Sequence, residues 1–301
     1  MTQLTASEQV CLKNILVATD FSAASFSALA CVMPIARESH SVVHILHVVR
    51  PSEVGLALTE DDEDISQEIQ VDAQRQLTPL EDVVGTTPHK IWLREGNVCR
   101  AIENLVRSEH IDLVAIGVSG KSDFKKFVVG SVAEEIIRHA TCPVLSVGPH
   151  AFRNSSGVPL AQLLYVTSLW ENSHDGLRYA IQLAIEHRSR LVLLHVIEQE
   201  ERHKADRESL KAFRRRMRSL LPDTAVNLRE EPVFRVEVAR NVTARILETA
   251  DEVKASLIVM DVHPEHGLAA HLRDKVYPII SWAKCPVLTV RMGAEQGIRQ
   301  N

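Results

Sequence analysis

The stretch Ile111–His139, IDLVAIGVSGKSDFKKFVVGSVAEEIIRH, decides how the rest of the chain is read. It opens with a near-continuous apolar run ending at Gly117, the pattern of a parallel strand buried on both faces. A loop carrying Gly120 and Lys121 follows. Gly130-Ser131 then opens a helical pattern in which Val132, Ala133, Ile136, Ile137 and Ala140 form one apolar stripe. Strand, glycine loop and helix start together suit an anion. Glycines let backbone N–H groups approach phosphate oxygens without a Cβ in the way, and a helix N-terminus adds unpaired donors and a positive dipole end. The Ser131 hydroxyl supplies a further donor, and Lys121 a charge to offset phosphate. By spacing alone, the same glycines would serve a purely structural purpose equally well.

Two common nucleotide motifs do not fit. Gly120-Lys121-Ser122 looks like the end of a Walker A loop, but that motif needs glycine at position 115, where Ala115 stands. No Gly-x-Gly-x-x-Gly follows a first strand, so a dinucleotide fold of the dehydrogenase type has no support.

Outward from this stretch, short apolar runs alternate with helical patterns. Strands are expected near 13–19, 42–49, 89–94, 111–117 and 143–148, with a kink at Pro34 in the first helix. The pattern then repeats. Asn14–Asp20 resembles Gln162–Ser168, Ile45–Val49 resembles Leu193–Ile197, and Cys142–Val147 matches Cys285–Val290. Turn-rich Gly148–Gly157 reads as the linker, dividing the chain into domains at 10–149 and 159–293. In the second, Leu210, Phe213, Met217 and Leu220 form an apolar stripe that leaves Arg214, Arg215, Arg216 and Arg218 on a solvated face.

The 301 residues suffice for two domains, and a 45% hydrophobic content suffices to fill their cores. A net charge of -5 argues against a nucleic-acid partner. Five scattered cysteines, never in a Cys-x-x-Cys pair, fit reduced thiols in the cytoplasm. Neither a leader pattern nor a membrane-length apolar run is seen, so no membrane association is expected.

Gly117, Gly120, Gly130 and Ser131 stand at the spacing Gly-two residues-Gly-nine residues-Gly-Ser, which resembles the universal stress protein pattern. The flanking Val17–Ser22, Leu46-His47-Val48 and His139–Leu145 agree, and the resemblance runs from about Leu12 to Arg291, stronger in the first half. It implies two tandem Rossmann-like domains of the adenine nucleotide alpha hydrolase-like type, each a five-stranded, mostly parallel sheet with helices on both faces. It also implies an ATP site, with Mg²⁺ as companion, in which Asp20 and the Val48 backbone hold the adenosine part and the glycine loop holds the phosphates. A carboxylate beyond a parallel strand suits ribose or base, although Asp is also a common turn or capping residue there.

In the second repeat Ser168 replaces Asp20, Asp261 replaces Gly117, Pro264 replaces Gly120, and Arg273-Asp274 replaces Gly130-Ser131. Acidic side chains and a proline would repel phosphate and remove a donor, so this half is expected not to bind ATP. The resemblance instead implies intrachain pairing of the two domains through Pro143–Gly148 and Pro286–Arg291, with a homodimer as a further assembly. His263, His266 and His271 beside Asp261 lack a recognised metal-ligand spacing, and acidic Glu60–Asp64 lacks the glycine and final glutamate of a calcium loop. No tightly bound metal is expected. The leading expectation is a non-enzymatic ATP-binding stress regulator. The alternatives are a slow ATP hydrolase or phosphotransferase, for which the loop identifies no base, and an adaptor with a vestigial pocket.

Overall fold

The computed structural model describes residues 10, 12–49, 75–77, 79–118, 129–151, 160–167, 175–199, 207–262 and 275–291. Strand β1 (Asn14–Thr19) is apolar on both sides because both are covered: Ile15 and Val17 pack against one face of the sheet and Leu16 against the other. The crossover helix α1 (Ala23–Glu38) starts where the Ser22 hydroxyl accepts from Ser25 N. Pro34 stands inside α1, which carries on to Glu38. The first half continues with β2 (Val42–Val49), β3 (His89–Glu95), α2 (Val98–Ser108), β4 (Leu113–Gly117), α3 (Ser131–His139) and β5 (Val144–Val147). The second half repeats the order with β6 (Gln162–Val166), α4 (Asp175–Glu186), β7 (Arg190–Glu198), α5 (Arg207–Ser219), a 3₁₀ turn (Asp223–Asn227), β8 (Val233–Ala239), α6 (Val242–Glu252), β9 (Leu257–Val262), α7 (Tyr277–Trp282) and β10 (Val287–Arg291).

The ten strands form one sheet in the order β3-β2-β1-β4-β5-β10-β9-β6-β7-β8. Pairing is parallel within each half, so each is a five-stranded α/β unit whose buried strands read as unbroken apolar runs. One antiparallel pair joins them: Leu288 faces Leu145 on β5, and the Thr289 hydroxyl donates to the Val144 carbonyl at 3.2 Å. Around this seam the Tyr277 hydroxyl reaches the Glu134 carbonyl, and Arg291 donates to the Arg138 carbonyl at 3.1 Å. Gly148 lies so close to the Ile280 carbonyl that a Cβ there would overlap it, so only glycine lets β5 end against α7.

Arginine placement on α5 follows the stripe. Met217 is buried while Arg215 and Arg218 reach outward to Glu208 and Glu231. Glu60–Asp64 and the histidines at 263, 266 and 271 lie outside the described residues.

Candidate functional site

In the first half, β2 and β3 lie on one side of β1 while β4 and β5 lie on the other. The reversal opens a crevice beyond the carboxyl ends of β1 and β4, where open parallel sheets bind ligands. Ala18 and Ile116 are register partners, which brings the residues following them, Asp20 and Val118 among them, to the same rim.

A tight corner leads from β1 into α1. Phe21 takes a left-handed φ of 57°, its N–H donates to Thr19 Oγ1 at 3.0 Å, and Ser22 N donates to Asp20 Oδ1 at 3.0 Å. Partial burial acts to raise the Asp20 pKa, but hydrogen bonds from Ser22, Ser25 and the backbone outweigh it and hold the carboxyl below its ordinary value. A ready, ionised acceptor therefore stands at the rim. His47, near the end of β2, braces the corner: its Nδ1 lies 2.9 Å from the Thr19 carbonyl, which can only accept, so Nδ1 carries the proton. The Phe21 ring packs over the imidazole at 4.3 Å between centroids. Next to His47, Val48 sends its side chain into the core, so any ligand contact there is made by backbone.

Gly130 and Ser131 lie at the start of α3. Gly130 is the N-cap residue, makes no side-chain cap, and has no described residue within 4 Å of where a Cβ would go. The first N–H groups of the helix thus have no side-chain acceptor at the cap, and the exposed Ser131 adds a hydroxyl. Gly117 is different. A Cβ on it would overlap the backbone of Ala24 and Ser25, so this glycine is demanded by the packing of α1 on β4, whether or not a phosphate approaches it. Gly120 and Lys121 lie outside the described residues.

The second half keeps the histidine brace and buries an acid beneath its first helix. His195 Nδ1 lies 2.9 Å from the Thr167 carbonyl, as His47 does from that of Thr19, and packs on Phe213. Asp261, in the place of Gly117, is not an exposed charge as the sequence suggested. It accepts from the Tyr165 hydroxyl at 2.5 Å and from Gly176 N at 2.7 Å. Burial pushes its pKa up to about 7, only partly countered by these two bonds, and the nearby Asp175 adds to the rise. The close approach that Gly117 provides on the strand is met here by Gly176 on the helix, where a Cβ would press on the Asp261 carboxyl. Ser168, Pro264, Arg273 and Asp274 lie outside the described residues.

His47 and Tyr165 escaped the sequence reading. The signal for His47 was present, since it recurs as His195 in the repeated Leu-His-Val. Tyr165 had none, because its partner is 96 residues away.

The sequence profile of the Universal stress protein family matches twice, over residues 12–148 and 161–291. The chain belongs to the universal stress protein family. Among relatives, a universal stress protein of Methanocaldococcus jannaschii is 32% identical over 138 residues, 45% of this chain and 81% of that one. A Bacillus subtilis family member is 27% identical, over 44% of this chain and 97% of its own. The solved structure of a universal stress protein from Archaeoglobus fulgidus, 19% identical, superposes with a TM-score of 0.68 over 93% of this chain and 98% of that one. A functionally unknown Pseudomonas aeruginosa protein, 15% identical, gives 0.60 over 95% of each. These two structures share the tandem fold of the family. Among the described residues, no helix is long and apolar enough to cross a membrane.

Proposed function

We propose that the crevice of the first half binds an adenine nucleotide, ATP accompanied by Mg²⁺, and that the protein is a cytoplasmic stress-response regulator whose contacts follow nucleotide occupancy. The observation that carries this reading is the start of α3: an N-cap glycine without a side-chain cap, no described residue within 4 Å of its Cβ position and an exposed hydroxyl beside it. That is a cradle for a phosphate group. The Asp20 carboxylate at the neighbouring strand end suits a ribose hydroxyl or a base N–H. Gly120 and Lys121 would add a close backbone approach and a positive charge. Mg²⁺ would arrive with the phosphates, since the described residues hold no group of three His, Cys, Asp or Glu side chains that would cage a metal. The second half, with Asp261 in the place of Gly117, is read as empty of nucleotide.

The test is calorimetric titration of nucleotide-stripped protein with ATP and Mg²⁺, beside a Gly130→Arg variant. No described residue lies within 4 Å of the Gly130 Cβ position, so the arginine is expected to leave the fold intact while blocking the cradle. Binding near one site per chain, lost in the variant, is expected. Absence of binding by the unaltered protein overturns the reading. Phosphate release measured on the same sample separates a regulator from a slow hydrolase.

A further inference from the structure

Away from both crevices, a pocket of about 360 Å³ opens between the two halves. The first half supplies one wall, at Cys31 and Pro34 of α1. The second supplies the rest, at Lys254, Ser256, Lys284 and Cys285, which precede β9 and β10 and so mark the amino ends of those strands. The volume falls in the range of small-molecule sites, roughly 300–1,000 Å³.

The internal repeat says what this place looks like when it is filled. Ser256 N donates to the Gln162 carbonyl as Asp112 N does to that of Asn14, and Ile258 N donates to Pro286 as Val114 N does to Pro143. Ser256 therefore corresponds to Asp112, and Cys285 to Cys142. Lys254, with a φ of 55°, corresponds to His110, with 52°. Across the seam, Ser189 N bonds the Ala184 carbonyl as Ser41 N bonds that of Ala36, which sets Tyr179 of α4 against Cys31 of α1.

Tyr179 is only 5% exposed, and burial first, then Cys142 and Asp112 close by, push its hydroxyl's pKa up. By the correspondence above, a buried phenol stands in the first half at the position that Cys31 takes in the pocket wall. On the other side of the seam, Cys31 and Cys285 both line the pocket, at the positions that the phenol and Cys142 take opposite; burial first, then Asp251 and Cys31, raise the Cys285 thiol to about 12. A whole ring is missing there. The charges are rearranged as well: a carboxylate is replaced by the Ser256 hydroxyl, His110 by Lys254, and Thr141 by Lys284. In the other direction Asp251 replaces Arg107 and Ala30 replaces Arg178, so the formal charge of the lining is the same in both versions; Lys284 holds Asp251 at 2.6 Å, and Lys254 is the pocket cation outside that pair.

We propose that this pocket is a second ligand site that takes a small aryl carboxylate, the ring occupying the volume Tyr179 fills opposite and the carboxylate meeting Lys254. The ring lies over Cys31, Pro34 and Cys285, which are apolar or weakly polar. Because its walls come from both halves, the ligand bridges the seam.

The test uses the full chain with 4-hydroxyphenylacetate, which joins the missing phenol to a carboxylate, and its uncharged amide as control. Saturation-transfer NMR titration is expected to show millimolar or tighter binding of the acid and about tenfold weaker binding of the amide. The acid is expected to slow maleimide alkylation of Cys31, followed by peptide mass spectrometry. Cys31→Tyr, which copies the opposite pocket, is expected to lose both ligands while melting no lower than the unaltered protein. Lys254→Gln is expected to bind the acid no better than the amide, and this variant decides the matter should Cys31→Tyr fail to fold. No saturable binding of the acid to the unaltered protein, or equal binding to Lys254→Gln, overturns the proposal.

Discussion

The Tyr165 hydroxyl donates to Asp261 across the sheet, from the middle of one strand to the end of another, in the place where the first half has Val17 and Gly117. The same two positions are packed in both halves, by apolar contact in one and by a buried hydrogen bond in the other. Several consequences can be measured.

Stability should fall as pH rises through the Asp261 titration. Its folded-state pKa of about 7 lies above the ordinary 3.8, so between those values the folded chain holds a proton that the unfolded chain has released. That contribution is complete below about pH 4, is lost as pH climbs to 7 and changes no further above it. At 1.36 kcal/mol per pKa unit its ceiling is roughly 4 kcal/mol. His44, His187 and His195 have pKa values lowered by burial and work in the opposite sense, losing stability as pH falls through 6.5. Urea midpoints across this range for the unaltered protein and Asp261→Asn isolate the carboxyl: their difference should change with pH in the direction given.

Tyr165→Phe removes the hydroxyl but keeps the ring. Asp261 then loses its side-chain donor in a buried site, at a cost of about 1–3 kcal/mol. The loss should be larger at alkaline pH, where the carboxyl is ionised, than at acid pH, and thermal melts at both ends of the range would show it.

The two glycines flanking the first-half loop should respond unequally to alanine. Gly117→Ala drives a methyl into the backbone of Ala24 and Ser25 and should cost about 1–3 kcal/mol or more. Gly130→Ala meets no described residue at a φ of -59° and should cost no more than about 1 kcal/mol, the loss of a favoured N-cap residue. Comparable losses from both would show that Gly117 is not a packing residue.

His47→Ala should loosen the corner that presents Asp20. The expected result is about tenfold weaker ATP binding with roughly 1 kcal/mol of lost stability, whereas His195→Ala should cost similar stability and leave nucleotide affinity unchanged. Calorimetry paired with denaturant unfolding separates the two effects.

Much of the fold was legible because strands buried on both faces write themselves as apolar runs: Ile15, Leu16 and Val17 all sit inside, and the run around them needs no long-range information to be read. The repeat was legible for the same reason. Gly117 also has a packing role that spacing cannot show, since α1 presses on that position. Asp261 was misread as a charge facing the crevice because an aspartate is ordinarily solvated, and only the fold reveals the phenol and the helix N–H that let it be buried. The pocket beside Cys31 could not be seen at all, since it is made of an absence that becomes visible only against Tyr179.

The antiparallel join between β5 and β10 lies within a single polypeptide. Two subunits meeting this way would exchange partners and dilute one another's complexes, whereas here the effective concentration of each half for the other is set by the connecting chain. A surface formed across the join is therefore present in every molecule at any expression level. Each half is always matched with an unlike neighbour, and so each has been at liberty to change its own side of the contact without spoiling a symmetric copy.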